Sequence, residues 1–146
     1  MDNLFKKFSD IDLREALLYK FLSYIDMYHR IPNPRPDFNE WTQDWIKREK
    51  NNDLWKGMEL SLDILKALYK EIVGKDFNED ESQNDLVNPN RTNTKVNLLA
   101  RRLSDFRDSN IVSEIEKYWQ EGKNVFVVFG RGHLVIEKPA LEKLIK

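Results

Sequence analysis

Cysteine is absent from the 146 residues, which removes disulfides and thiolate metal sites from consideration. Histidine occurs only twice, as His29 and His133, separated by most of the chain. A protein-held metal normally needs three or four ligands. Carboxylates would have to complete any such site here, and no HExxH or comparable pair is present. No apolar run approaches the roughly 20 residues that span a bilayer, and the N-terminus, Met1 to Lys7, lacks the apolar core of a secretory signal. A dominant charge is missing too, because 24 basic residues stand against 25 acidic ones for a net charge of −1. No global field here draws in nucleic acid or an anionic membrane. There is no P-loop and no internal repeat. What remains is a chain with 40% hydrophobic residues, enough for one domain with a core. These exclusions describe a soluble, cytoplasmic protein with no nucleic-acid or membrane partner.

Apolar spacing supplies the organisation. A first helix starts near Ser9 or Asp10 and carries Leu13, Leu17, Phe21, Tyr24 and Tyr28 to about His29. The alternating prolines from Pro32 to Pro36 end it. A second helix opens at Asp37 or Asn39 with Trp41, Trp45 and Ile46. A third runs from about Asp53 to Val73, closed by Gly74. Residues 1–74 thus form a helical region. Residues 75–93 are a polar, acidic loop that ends on Asn88-Pro89-Asn90. Residues 94–146 form a helix-strand-turn-helix unit, so that 1–146 is a single, incomplete domain. Its helix is capped by Thr92 or Thr94, stops at Gly122 and can break at Asp108-Ser109-Asn110. Trp41, Trp45 and Trp55 read as core residues, because a nucleic-acid stacking surface needs interleaved basic side chains.

The strand is Val125-Phe126-Val127-Val128-Phe129, bounded at about 124–129 and followed by Gly130-Arg131-Gly132-His133. An unbroken apolar run of this length predicts a strand buried on both faces in a parallel sheet. The predicted fold class is therefore α/β and predominantly helical, the C-terminal half of a parallel-sheet domain. Pro139 falls near the first turn of the last helix, where proline is tolerated. Ligand chemistry in such sheets gathers at the carboxyl ends of strands. His133 stands there as a metal ligand, as a proton shuttle, or as a turn residue satisfied by a carbonyl. Gly130-Arg131-Gly132 is not a dinucleotide fingerprint, since the third glycine and the downstream acidic residue are absent.

Arg107 is the second oddity. Val96, Ala100, Leu103, Ile111, Ile115 and Tyr118 define one apolar arc of the preceding helix, and Arg107 falls between Leu103 and Ile111. A guanidinium on a buried face must be paired or must bind an anion. It either snorkels outwards or pairs with Asp108 or Glu114 as structural glue, or else it reaches the strand end and builds a site.

The residues Asn97, Phe106-Arg107-Asp108, Ile111, Ile115, Gly122 to His133, and Glu137 to Leu141 together resemble the C-terminal part of the TraB/Tiki/ChaN-like superfamily, to which erythromycin esterases are distantly related. The resemblance covers roughly the last third of the chain. It implies that Arg107 matches the family arginine, and that Gly130 and His133 match a Gly-x-x-His turn. By that resemblance the chain is a remnant or C-terminal half of a metal-dependent hydrolase, inactive alone. Its implied catalytic residues are Arg107, as anion or transition-state stabiliser, and His133, as acid/base or metal ligand. Asp108, Gly130, Arg131 and Gly132 complete the ligand site. The implied cofactor is a divalent metal ion, with haem as the lesser alternative. The family's earlier strand, with its own Gly-x-x-His turn, has no counterpart here, since His29 sits in Tyr28-His29-Arg30. An orphan strand calls for another polypeptide or a second copy to complete the sheet. The alternative is a non-catalytic helical protein-interaction module that keeps the strand-helix unit for packing.

Overall fold

Asp12, Asp37 and Ser61 each turn a side-chain oxygen onto a backbone amide and start a helix. In the computed structural model, residue 5, residues 10–128 and residues 130–144 are described, without the side chains of 131–136 and 144. Helix α1 is Leu13–His29, with the Arg14 amide donating to Asp12 Oδ1 at 2.8 Å. Helix α2 is Phe38–Glu49, with the Glu40 amide donating to Asp37 Oδ1 at 3.0 Å. Helix α3 is Leu62–Val73, where the Ile64 amide donates to Ser61 Oγ at 3.2 Å. Each cap satisfies one of the amides that a helix start leaves without a partner. A single turn, α4 (Asn84–Val87), precedes the long α5 (Lys95–Gln120) and the last helix, α6 (Arg131–Leu144). The Asn97 amide donates to Thr94 Oγ1 at 3.2 Å, so Thr94 is the cap of α5.

The sequence expectation of an α/β fold is overturned. Every regular element among the described residues is helical, and no strand or sheet is present. Val125–Val128 is irregular chain, with Phe126 91% and Val128 82% exposed. Phe129, the last residue of the expected strand, lies outside the described residues. A strand exists only as part of a hydrogen-bonded ladder, and a lone apolar pentapeptide has no ladder to join. The Gly-x-x-His segment is not a turn after a strand either: α6 begins at Arg131, which makes Arg131, Gly132 and His133 its first residues. Pro139 consequently sits inside α6 rather than near its start, and removes one helical hydrogen bond there.

Smaller differences have local causes. The expected third helix is divided, because Asn52 caps a separate 3₁₀ turn at Asp53–Trp55 and Gly57 follows at φ +87°. Helix α5 passes through Asp108-Ser109-Asn110 without a break. Ser9, one of the two expected caps of α1, lies outside the described residues.

The chain divides into two compact units, Met1–Arg101 and Arg102–Lys146. In the first, α1 is the central element. It buries Ala16, Leu17, Leu18, Phe21, Leu22 and Ile25, and packs against α3 and α4, while α2 packs against α3. Phe21 joins these layers, with ring centroids 5.4 Å from Trp45 and 5.7 Å from Phe77. Trp45 and Trp55 are buried, as expected of core residues, whereas Trp41 is half-buried.

Polar side chains hold the rest of this unit. Glu49 Oε2 accepts from Lys20 Nζ at 2.6 Å, from Trp55 Nε1 at 2.7 Å and from Asn52 Nδ2 at 3.1 Å. Asn97, buried in the first turn of α5, sends its Nδ2 to the carbonyls of Asp85, Leu86 and Asn88 at 2.7, 2.8 and 3.2 Å. Phe77 completes the attachment of residues 75–93 by an edge contact on Tyr69 at 5.3 Å.

Gly74 ends α3 in the left-handed region at φ +84°, and its amide donates to the Lys70 carbonyl at 2.9 Å. A Cβ built there meets nothing within 4 Å. Gly74→Ala therefore tests backbone strain without a steric clash. A loss of about 1–2 kcal/mol is expected in urea denaturation.

Candidate functional site

The residues singled out in the sequence fall in the second unit. Leu103 and Asp108 are buried on its part of α5, and Glu137 is buried on α6. Arg107 is not buried: its side chain is 53% exposed, and Nε lies 3.8 Å from Asp108 Oδ1. Ser104 Oγ approaches Asp108 Oδ2 at 3.5 Å. The apolar arc that suggested a buried arginine fades along the helix, since Ile111 and Ile115 are half-buried and Tyr118 is exposed. Of the readings open for Arg107, the geometry matches an outward head beside Asp108.

A cleft of about 510 Å³ lies between α5 and α6 within this unit. Its wall is acidic, with Asp105, Asp108, Glu116 and Glu137 joined by Ser109 and Ser113. Arg107 does not line it. Glu137 is the residue that sequence reasoning missed. Its signal was its position four before Leu141 on the same helical row, which places a carboxylate on an apolar face. Gly130 is exposed, directly before α6. The side chains of Arg131 and His133 lie outside the described residues, and so does any contact between His133 and Arg107. Among the described residues, no group of three or more His, Cys, Asp or Glu is placed to hold a metal ion. No helix among them is long and apolar enough to cross a membrane.

The other notable feature of the unit is the chain between its helices. Gly122, at φ +70°, ends α5, with its amide on the Trp119 carbonyl at 3.0 Å and the Lys123 amide on the Tyr118 carbonyl at 3.1 Å. Lys123 Nζ lies 4.7 Å from the Tyr118 ring centroid and Lys117 Nζ 5.6 Å. Beyond Lys123, exposure alternates. Val125 is half-buried, Phe126 is 91% exposed, Val127 39% and Val128 82%. Among the described residues, no amide from Asn124 to Val128 donates to a backbone carbonyl. Among the described residues, the segment thus combines amides that lack a backbone acceptor with apolar side chains exposed at a period of two.

Compared with protein-family models, with curated proteins and with solved structures, the chain matches none.

Proposed function

We propose that this chain is a non-catalytic helical interaction module that engages a partner polypeptide through Val125–Val128. The observation that carries the reading is the exposure of Phe126 and Val128, two residues apart on a stretch whose amides donate to no backbone carbonyl among the described residues. Contiguous apolar side chains in water mark binding surfaces, because their burial is the main source of association energy. A free edge of this kind is suited to strand addition, in which main-chain hydrogen bonds supply affinity and alternate side chains supply specificity. The hydrolase reading of the same residues needs the end of a sheet strand as the floor of its site. The described residues provide no such floor.

The test uses a photoreactive benzoylphenylalanine placed at Phe126, with a second chain carrying it at the exposed Asn39 as control. Irradiation in extract of the native host is expected to give a discrete adduct at position 126 and none at 39. Amide exchange is expected to slow from Asn124 to Val128 in the complex. Equal labelling at both positions, with unchanged exchange, would sink the reading.

A further inference from the structure

Helices α1 and α2 meet in the first unit along a line of rings. Tyr24 stacks on Trp41 with centroids 4.7 Å apart at 15°, and on Trp45 at 5.9 Å and 28°. The spacing Trp41-Trp45 puts both indoles on one face of α2. Beside this stack a cleft of about 600 Å³ opens, within the size range of small-molecule sites. Tyr24 and Met27 line it from α1. Trp41, Asp44, Lys47 and Arg48 line it from α2.

The cleft has a charged side. The Arg48 guanidinium lies 5.4 Å from the Tyr24 ring centroid, and Nη2 donates to Tyr24 Oη at 3.1 Å. That contact uses one of the five N–H donors of an arginine. Among the described residues, neither Lys47 nor Arg48 forms an ion pair with a carboxylate. Two cations that form no ion pair among the described residues thus border an aromatic wall. Met27, 57% exposed, gives that wall a soft apolar rim. The indole N–H of Trp41 is buried and has no acceptor among the described residues. A single opposing charge, Asp44, sits in the same wall.

We infer that this α1–α2 cleft binds a small anion that carries an aromatic ring, with the ring against Tyr24, Met27 and Trp41 and a phosphate or carboxylate on Lys47 and Arg48. A guanidinium holds such a group by charge-assisted hydrogen bonds, and the apolar wall excludes water from the ring. An inorganic anion has nothing to place on the aromatic side, and an uncharged ring leaves the two cations unanswered. The ligand must have both parts. Asp44 limits the charge that the site accepts.

The ring-bearing anion can be a nucleotide or an aryl carboxylate, and the probes separate them. The full chain is titrated with adenosine monophosphate and with phenylpropionate, followed by tryptophan fluorescence and calorimetry; adenosine and inorganic phosphate serve as half-ligands. Saturable binding of at least one anion is expected, about tenfold or more tighter than either half-ligand. Whichever anion binds names the source. Lys47→Gln alone, at an exposed residue, is expected to weaken binding about threefold, and the Lys47→Gln/Arg48→Gln pair about tenfold or more. Asp44→Asn is expected to tighten it. The inference is overturned if neither anion saturates, if phosphate alone binds as well, or if the charge variants leave the affinity unchanged in chains with wild-type circular dichroism.

Discussion

Replacing Glu49 by alanine is expected to lower the unfolding free energy by about 3–5 kcal/mol. One oxygen of this carboxylate accepts from Lys20, Trp55 and Asn52, and the Lys20 and Glu49 side chains are only 16% and 11% exposed. Its removal takes away the carboxylate that lies 2.6 Å from this ammonium in a site largely closed to water, beside an indole ring whose centroid lies 5.9 Å from Nζ. That cost comes mainly from three donors losing a shared acceptor, since a buried pair contributes little net stability against an apolar replacement. The double change Lys20→Met/Glu49→Leu is therefore expected to recover most of the loss. Urea denaturation should show the midpoint falling in the single variant at an unchanged slope, then returning in the double one. Equal loss in both variants would remove the charge argument and leave packing as the cause.

Asn97→Asp is expected to cost about 3 kcal/mol at pH 7, although it changes the shape of the side chain hardly at all. The asparagine amide donates to three carbonyls. A carboxylate has no donor, and its charge would face the negative ends of those carbonyls. Position 97 lies in the first turn of α5, where a negative charge gains about 0.3–1 kcal/mol from the helix dipole. That gain is smaller than the loss, so the variant is destabilised. The pH dependence follows from the same contact. Burial against carbonyls raises the folded pKa of the new carboxyl above its unfolded value near 3.9. The added deficit is then fully present above the folded pKa and disappears as pH falls below the unfolded one. Once protonated, the carboxyl again offers one O–H donor. The stability gap between variant and wild type should therefore narrow between pH 7 and about pH 4. A gap independent of pH would point to a packing effect instead.

These two residues show where sequence reading stops. Caps are local, so Gly74 and Gly122 were legible from type and position, and Asp37 and Thr94 each as one of two candidates, whereas the caps Asp12 and Ser61 were not picked out. Glu49 and Asn97 carry polar side chains that read as surface residues. Their partners lie in other elements, and nothing in their own neighbourhood announces them. The apolar run at Val125 failed for the opposite reason. Its composition is identical for a strand inside a sheet and for a segment waiting in solvent, because the difference lies in whether a second strand exists. Arg107 stayed open between an outward head and a site for a related reason, since the helical wheel shows an apolar arc but not how far along α5 that arc is covered. The acidic cleft around Asp108 and Glu137 joins two helices that only the fold brings together.

The polar stretch from Lys75 to Asn93 acquires a different meaning in terms of chain entropy. By composition it is a free loop of nearly twenty residues, and a free loop of that length adds a closure penalty to folding that grows with the logarithm of its length. Phe77 among the rings and the Asn97 clasp on Asp85, Leu86 and Asn88 cut it into short spans. Each span has only a few residues left to wander. Between Asn78 and Ser82 all side chains are exposed and the hydrogen bonds stay local, with the Glu81 amide on the Asn78 carbonyl at 3.3 Å and Lys75 Nζ on Glu81 Oε2 at 2.7 Å. That short acidic tip, rather than the whole polar stretch, is where an insertion or a cut is expected to leave the core around α1 undisturbed.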